Sequence, residues 1–183
     1  MTPILDWGCG CGRVCRYLPS GHMDLHGVDI NEEAIKWCLS GLPHSFMVSD
    51  TKPPLAFDDD FFAVVYGISI LTHLSHEDQT EWIEELIRVT KQGGIIILSF
   101  HGFDSLLRMK LGKREIHRLY EKRFLDLGRN NAFPADSKLG ADYLDIVQFP
   151  SSLEKIISPY DVELSFYSGV FGNHQDVVVL RKN

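Results

Sequence analysis

Residues 6–15, "DWGCGCGRVC", bring three alternate glycines and three of the chain's four cysteines into ten positions. Three chemistries use such residues: thiolate metal binding, disulfide redox chemistry, and a backbone loop that admits a nucleotide. The cysteines at 9, 11, 15 and 38 read C-x-C-x3-C-x22-C, which is no pair of C-x-x-C knuckles. A chain of 183 residues can bury enough core to do without disulfides. The cysteines are therefore read as small, semi-apolar fillers, and no metal is predicted. The glycines fit the third chemistry. They follow a short apolar strand, where glycine lets the backbone approach a ligand closely and the next N–H groups point at it.

Known nucleotide fingerprints narrow the choice. A dinucleotide loop needs G-x-G-x-x-G, but counting from Gly8 the sixth residue is Arg13, and from Gly10 it is Cys15. No GxxxxGK[ST] run exists. The motif that stands is D-x-G-x-G-x-G.

Strand-like and helix-like segments alternate around this loop. Strands are predicted at 3–7, 25–29, 45–48, 61–68 and 95–100, the last two as apolar runs buried on both faces. "GRVCRYL" (12–18) reads as a helix. A second helix over 31–40 has Asn31 as its cap and Ala34, Ile35 and Leu39 as its apolar face. A third starts at a Ser75/Asp78 capping box, carries Trp82, Ile83, Leu86 and Ile87 on one face, and is stopped by Gly93-Gly94. Residues 151–158 read as a helix with a Ser151/Glu154 box. Residues 161–168 and 176–182 then form two strands with no helix between them. The expected fold is α/β, a three-layer αβα doubly wound, mostly parallel sheet that ends in an antiparallel hairpin.

The motif order resembles the class I S-adenosylmethionine-dependent methyltransferases. "LDWGCGCGRV" resembles their first motif and "GVDI" (27–30) their second. "VSDT" (48–51) resembles the third, "FAVVYGISILTHL" (62–74) the fourth-strand motif, and "ELIRVTKQGGIIILSFHG" (85–102) the segment that follows. The resemblance implies a Rossmann-like transferase fold with S-adenosyl-L-methionine as cofactor and S-adenosyl-L-homocysteine as product. It implies that Gly8, Cys9 and Gly10 pass under the methionine part and that Asp29 accepts both ribose hydroxyls. Ile30 then lies on the adenine or ribose, and Asp50 or Thr51 reaches the adenine amino group. Asp6 helps hold the loop and the ligand's ammonium, and carbonyls at Gly67 and Ile68 take that ammonium. NAD-binding folds also use an acid like Asp29.

No catalytic residue is named. His73 is read as a packing and capping residue, and His101 and His174 as turn or packing residues. Amino-methylating D/N-P-P-Y motifs are absent, since "VYGISI" stands at that place. A small-molecule, sugar or lipid-linked acceptor is therefore expected. The net charge of −7 argues against nucleic acid as a partner. No membrane span or signal peptide is read, and a cytoplasmic location is the default. The chain reads as a single domain, 1–183, with 103–142 as a helical lid insertion. There, Ile116, Leu119, Tyr120, Phe124 and Leu127 fall on one helical face. Residues 103–131 hold eight Lys/Arg against four Asp/Glu, so Arg114, Arg118 and Arg123 are candidates to receive an anionic acceptor. The sequence lacks the helices that many members of the family carry before the first strand. This leaves room for a homodimer whose partner subunit covers the cofactor. Two other classes stay open: a non-catalytic binding domain on the same fold, and an NAD-dependent oxidoreductase.

Overall fold

The structure, a computed structural model, describes residues 1–19, 21, 23–130, 143–172 and 174–183. One sheet dominates it. Strands β1 (Thr2–Trp7), β2 (Met23–Asp29), β3 (Ser45–Val48), β4 (Phe62–Gly67), β5 (Thr90–Phe100), β8 (Val162–Phe171) and β9 (Gln175–Lys182) lie in the order β3-β2-β1-β4-β5-β9-β8. The first five pair in parallel, and β9 enters antiparallel between β5 and β8. The expected doubly wound sheet with a closing hairpin is present. The strand order reverses between β1 and β4, and open α/β sheets bind ligands in the crevice at such a switch point.

Alternation along β1 shows why the sheet needs helices on both faces. Leu5 and Trp7 join one core with Trp82, Ile83 and Leu86 of helix α2 (His76–Val89) and Leu153, Ile156 and Ile157 of α5 (Pro150–Ile157). Ile4 faces the opposite core, with Ile35 and Cys38 of α1 (Glu32–Gly41).

Several local readings are corrected. Residues 12–18 form only a 3₁₀ turn over Cys15–Tyr17. On α1 Ala34 and Ile35 are buried as expected, but the third buried residue is Cys38, and Leu39 is 59% exposed. Asn31 does cap α1, accepting from the Glu33 and Ala34 N–H groups. Helix α2 ends at Val89, and Gly93 and Gly94 lie inside β5. Helix α5 starts with Pro150 as its first residue after Phe149, so Ser151 is no cap.

The 103–142 segment is not one helix. It forms α3 (Phe103–Arg108), α4 (Lys113–Lys122) and a strand β6 (Phe124–Arg129), which pairs antiparallel with β7 (Leu144–Gln148). Arg123 takes a left-handed conformation, φ 61°, and ends α4. Phe124 and Leu127 are thereby strand residues. Residues 131–142 of the expected lid lie outside the described residues.

Candidate functional site

The carboxyl ends of β1, β2 and β4 open onto a cavity of about 480 Å³, within the range of small-molecule sites. Its floor is the glycine loop. Gly8 has φ +77° and Gly10 +51°, a region that L side chains avoid. A Cβ on Gly8 would lie 2.1 Å from the Ile70 Cδ1, whereas one on Gly10 would meet nothing within 4 Å. Gly8 therefore admits a neighbouring side chain, and Gly10 leaves bare backbone facing the cavity. The Gly8 and Cys9 N–H groups both donate to the Val28 carbonyl, at 2.8 and 3.0 Å.

Asp29 is the hub of this wall. Its Oδ2 accepts from the Gly10 N–H at 2.7 Å and its Oδ1 from the Asn31 N–H at 2.8 Å. The carboxylate thus ties the glycine loop to the start of α1. Each oxygen keeps a further lone pair for a ligand hydroxyl.

The sequence candidates divide by position. Gly8, Gly10, Asp29, Ile30, Thr51 and Ile68 line the cavity together. Asp6, Cys9, Asp50 and Gly67 do not. Asp6 is 3% exposed and accepts from the Cys15 thiol at 2.9 Å, and Tyr66 also bonds to it. Burial lifts its pKa to about 6 against those hydrogen bonds. The Cys9 side chain is buried beneath the loop, next to Gly27. Asp50 points to solvent. Gly67 gives room to a ring: its Cβ would lie 2.5 Å from Trp7 Cε3. All four cysteines are free thiols, with Cys11 exposed and the rest buried.

The opposite wall comes from residues that sequence reading missed or assigned to packing. Trp7 and Trp82 pack with ring centroids 5.1 Å apart, and both line the cavity. Lys52 bridges Asp78 at 2.7 Å and Glu81 at 2.8 Å beside them. Ser69 is held at φ +64°, an uncommon conformation for a residue with a side chain. Its N–H donates to Ser99 Oγ at 2.7 Å, and Gln175 Nε2 donates to its hydroxyl at 2.9 Å. His73 also lines the cavity. Its ring stacks on Tyr143 with centroids 3.7 Å apart, and its Nδ1 lies 2.8 Å from the Leu144 carbonyl. A carbonyl only accepts, so Nδ1 carries the proton and Nε2 is the ring's acceptor. Burial lowers the His73 pKa.

His101 stands outside the cavity lining, with Nδ1 3.2 Å from the Ile146 carbonyl and its ring 5.3 Å from His174. Arg114, Arg118 and Arg123 are exposed and do not line the cavity either.

Residues 4–94 match the family described as "Methyltransferase domain". The chain is 36% identical over 97 residues to the tRNA (carboxymethyluridine(34)-5-O)-methyltransferase of Arabidopsis thaliana, covering 52% of this chain and 23% of that protein. It is 31% identical over 103 residues to the 2-methyl-6-phytyl-1,4-hydroquinone methyltransferase of Synechocystis, covering 54% and 31%. The chain thus spans less than a third of the length of either relative. In fold it is similar to an S-adenosylmethionine-dependent methyltransferase of Methanosarcina mazei, with TM-score 0.71 and 22% identity over 98% of this chain and 92% of that one. A second structure, from Mesorhizobium loti, gives TM-score 0.70 at 12% identity over 98% and 90%. Among the described residues, no helix is long and apolar enough to cross a membrane. The family match and the strand order lead to one assignment: residues 4–94 of this chain belong to the methyltransferase domain family, and the chain has the Rossmann-like fold of S-adenosylmethionine-dependent methyltransferases.

Proposed function

We propose that this chain binds S-adenosyl-L-methionine in the 480 Å³ cavity and transfers its methyl group to a small-molecule, sugar or lipid-linked acceptor. The observation that carries the reading is the Asp29 carboxylate on the cavity wall, bonded to the Gly10 N–H across the loop. The residues fit the cofactor. Gly10 offers open backbone, Asp29 offers acceptor lone pairs for a diol, and Ile30 and Ala34 offer apolar surface for a base.

In this reading Gly8 and Gly10 take the methionine part, Asp29 the ribose and Ile30 the adenine, with Thr51 at the adenine edge. Asp6 acts from behind, holding the loop through the Cys15 thiol that donates to it. The chemistry supplied by the bound group is an electrophilic methyl on a sulfonium, displaced in line. The chain's own task is to align the acceptor and exclude water. Trp7, Trp82, Leu74 and Tyr143 form much of that apolar enclosure. A base is required only where the acceptor is a hydroxyl or a protonated amine. For such acceptors His73, neutral and with Nε2 as an acceptor, is the proton-accepting side chain of the cavity. We also place β7 and the β6 strand paired with it on the acceptor side, because Tyr143, just before β7, lines the cavity.

Calorimetric titration with S-adenosyl-L-homocysteine and, separately, NAD tests the reading. Micromolar binding of the first alone, weakened at least ten-fold by Asp29→Asn, is expected. Preference for NAD would replace the transferase reading with an oxidoreductase. Binding without turnover across an acceptor screen would favour a non-catalytic domain.

A further inference from the structure

Helices α3 and α4 and the turn between them carry a surface that the cavity does not use. Four large apolar side chains stand exposed there: Leu107 at 86%, Tyr120 at 60%, Phe103 at 51% and Ile116 at 43%. They rim a separate groove of about 320 Å³, to which Leu111 also contributes. Isolated exposed leucines are ordinary, but a rimmed apolar patch marks an interaction surface.

The turn alternates apolar and cationic residues, Leu107-Arg108-Met109-Lys110-Leu111-Gly112-Lys113-Arg114. Residues 103–123 hold seven Lys/Arg against three Asp/Glu, so the rest of the chain sums to −11 of the total −7. All seven cations are exposed. Among the described residues none of them makes an ion pair, although Arg123 lies over the Phe149 ring. Of the three acids, Glu115 is engaged on the Gly112 N–H and Glu121 on His117. A molecule charged in this way presents the same face to any anionic surface it meets.

We propose that the α3–α4 turn docks on an anionic lipid bilayer. Leu107, Leu111 and Phe103 enter the boundary between headgroups and acyl chains, while Arg108, Lys110, Lys113 and Arg114 lie on the headgroups. Cations beside long apolar side chains on one short element are the pattern of interfacial binding. Two other occupants fit less well. RNA would use a run of stacking rings along the cations, whereas Leu107, Leu111 and Ile116 are aliphatic and Phe103 and Tyr120 are the patch's two exposed rings. A second copy in two-fold contact would set this cationic segment against itself.

The test is co-sedimentation of the full chain with vesicles of phosphatidylcholine alone and with one third phosphatidylglycerol, at low and high salt. Binding to the anionic vesicles only, reversed by salt, is expected. Lys110→Glu with Lys113→Glu is expected to weaken it about 25-fold or more, at about five-fold per cation lost. Leu107→Asp, and the milder Leu107→Gln, are expected to weaken it while thermal melting and S-adenosyl-L-homocysteine binding stay unchanged. Failure of the parent chain to sediment with anionic vesicles overturns the proposal. So does binding that both Leu107 variants leave intact, since that would be charge attraction alone. Tighter binding to a single-stranded RNA oligonucleotide, or a dimer that Leu107→Asp dissociates without any vesicle binding, also overturns it.

Discussion

The two walls of the cavity are built in opposite ways. The β1–β2 wall is main chain: bare glycine backbone cross-linked by one carboxylate, with two N–H groups on one carbonyl beneath it. The facing wall is mostly side chain: His73 stacks on Tyr143, and Trp82 packs at a tilt against Trp7, the last residue of β1. Backbone geometry tolerates few substitutions, and side-chain walls tolerate many. The arrangement suits a constant ligand on one side and an acceptor that differs between relatives on the other.

Substitutions can break this contrast. The largest effect is expected for Gly8→Val. A left-handed φ costs about 1–2 kcal/mol for a side-chain residue, and the collision with Ile70 adds to it. Loss of S-adenosyl-L-homocysteine binding with a clear fall in melting temperature is expected. Gly10→Ala has room for its methyl and is expected to lose binding with far less loss of stability. Equal behaviour of the two variants would mean that the loop serves folding alone.

Asp6 comes next. Its folded pKa, about 6, lies above the ordinary 3.8, so the fold disfavours its ionised form. The stability it contributes is present below pH 3.8 and is lost as pH rises through 6. Denaturant titrations of the parent and of Asp6→Asn should therefore diverge by about 2 kcal/mol between pH 4 and pH 7 in the variant's favour. A pH-independent difference would show that Asp6 ionises freely.

His73→Ala probes the second wall. Its effect on S-adenosyl-L-homocysteine affinity is expected to stay within about three-fold, since the proposed reading puts the residue on the acceptor side. Because burial lowers the His73 pKa, its contribution to stability is present above pH 6.5 and is lost as pH falls below it. The variant should show a shallower loss of stability on acidification. The smallest effect is expected at the half-exposed Lys52 bridge, where Lys52→Ala should barely move the midpoint of a melting experiment.

The same division decides what could be read before the structure was seen. Gly8, Gly10 and Asp29 advertise themselves, because glycine is the residue that takes a left-handed turn without strain and an acid ends the second strand. Asn31 announced its helix for a similarly local reason. Ser69 gave no such signal. Nothing in the residue type marks its positive φ, and the groups that hold it come from 30 and 106 residues away. Arg123 likewise ends α4 in a conformation that sequence reserves for glycine or asparagine. Phe124 and Leu127 then keep a helical spacing while lying in a strand. His73 was legible as a turn residue, but only the arrival of β7 and Tyr143 made it part of a cavity wall.

The double hold on the Asp29 carboxylate has a kinetic consequence. With Gly10 and Asn31 already bonded to it, the loop is braced by the protein's own groups without a ligand. Association then needs no slow ordering step, and its observed rate should rise linearly with ligand concentration instead of reaching a plateau. Affinity differences among nucleoside ligands would accordingly lie in how fast each one leaves.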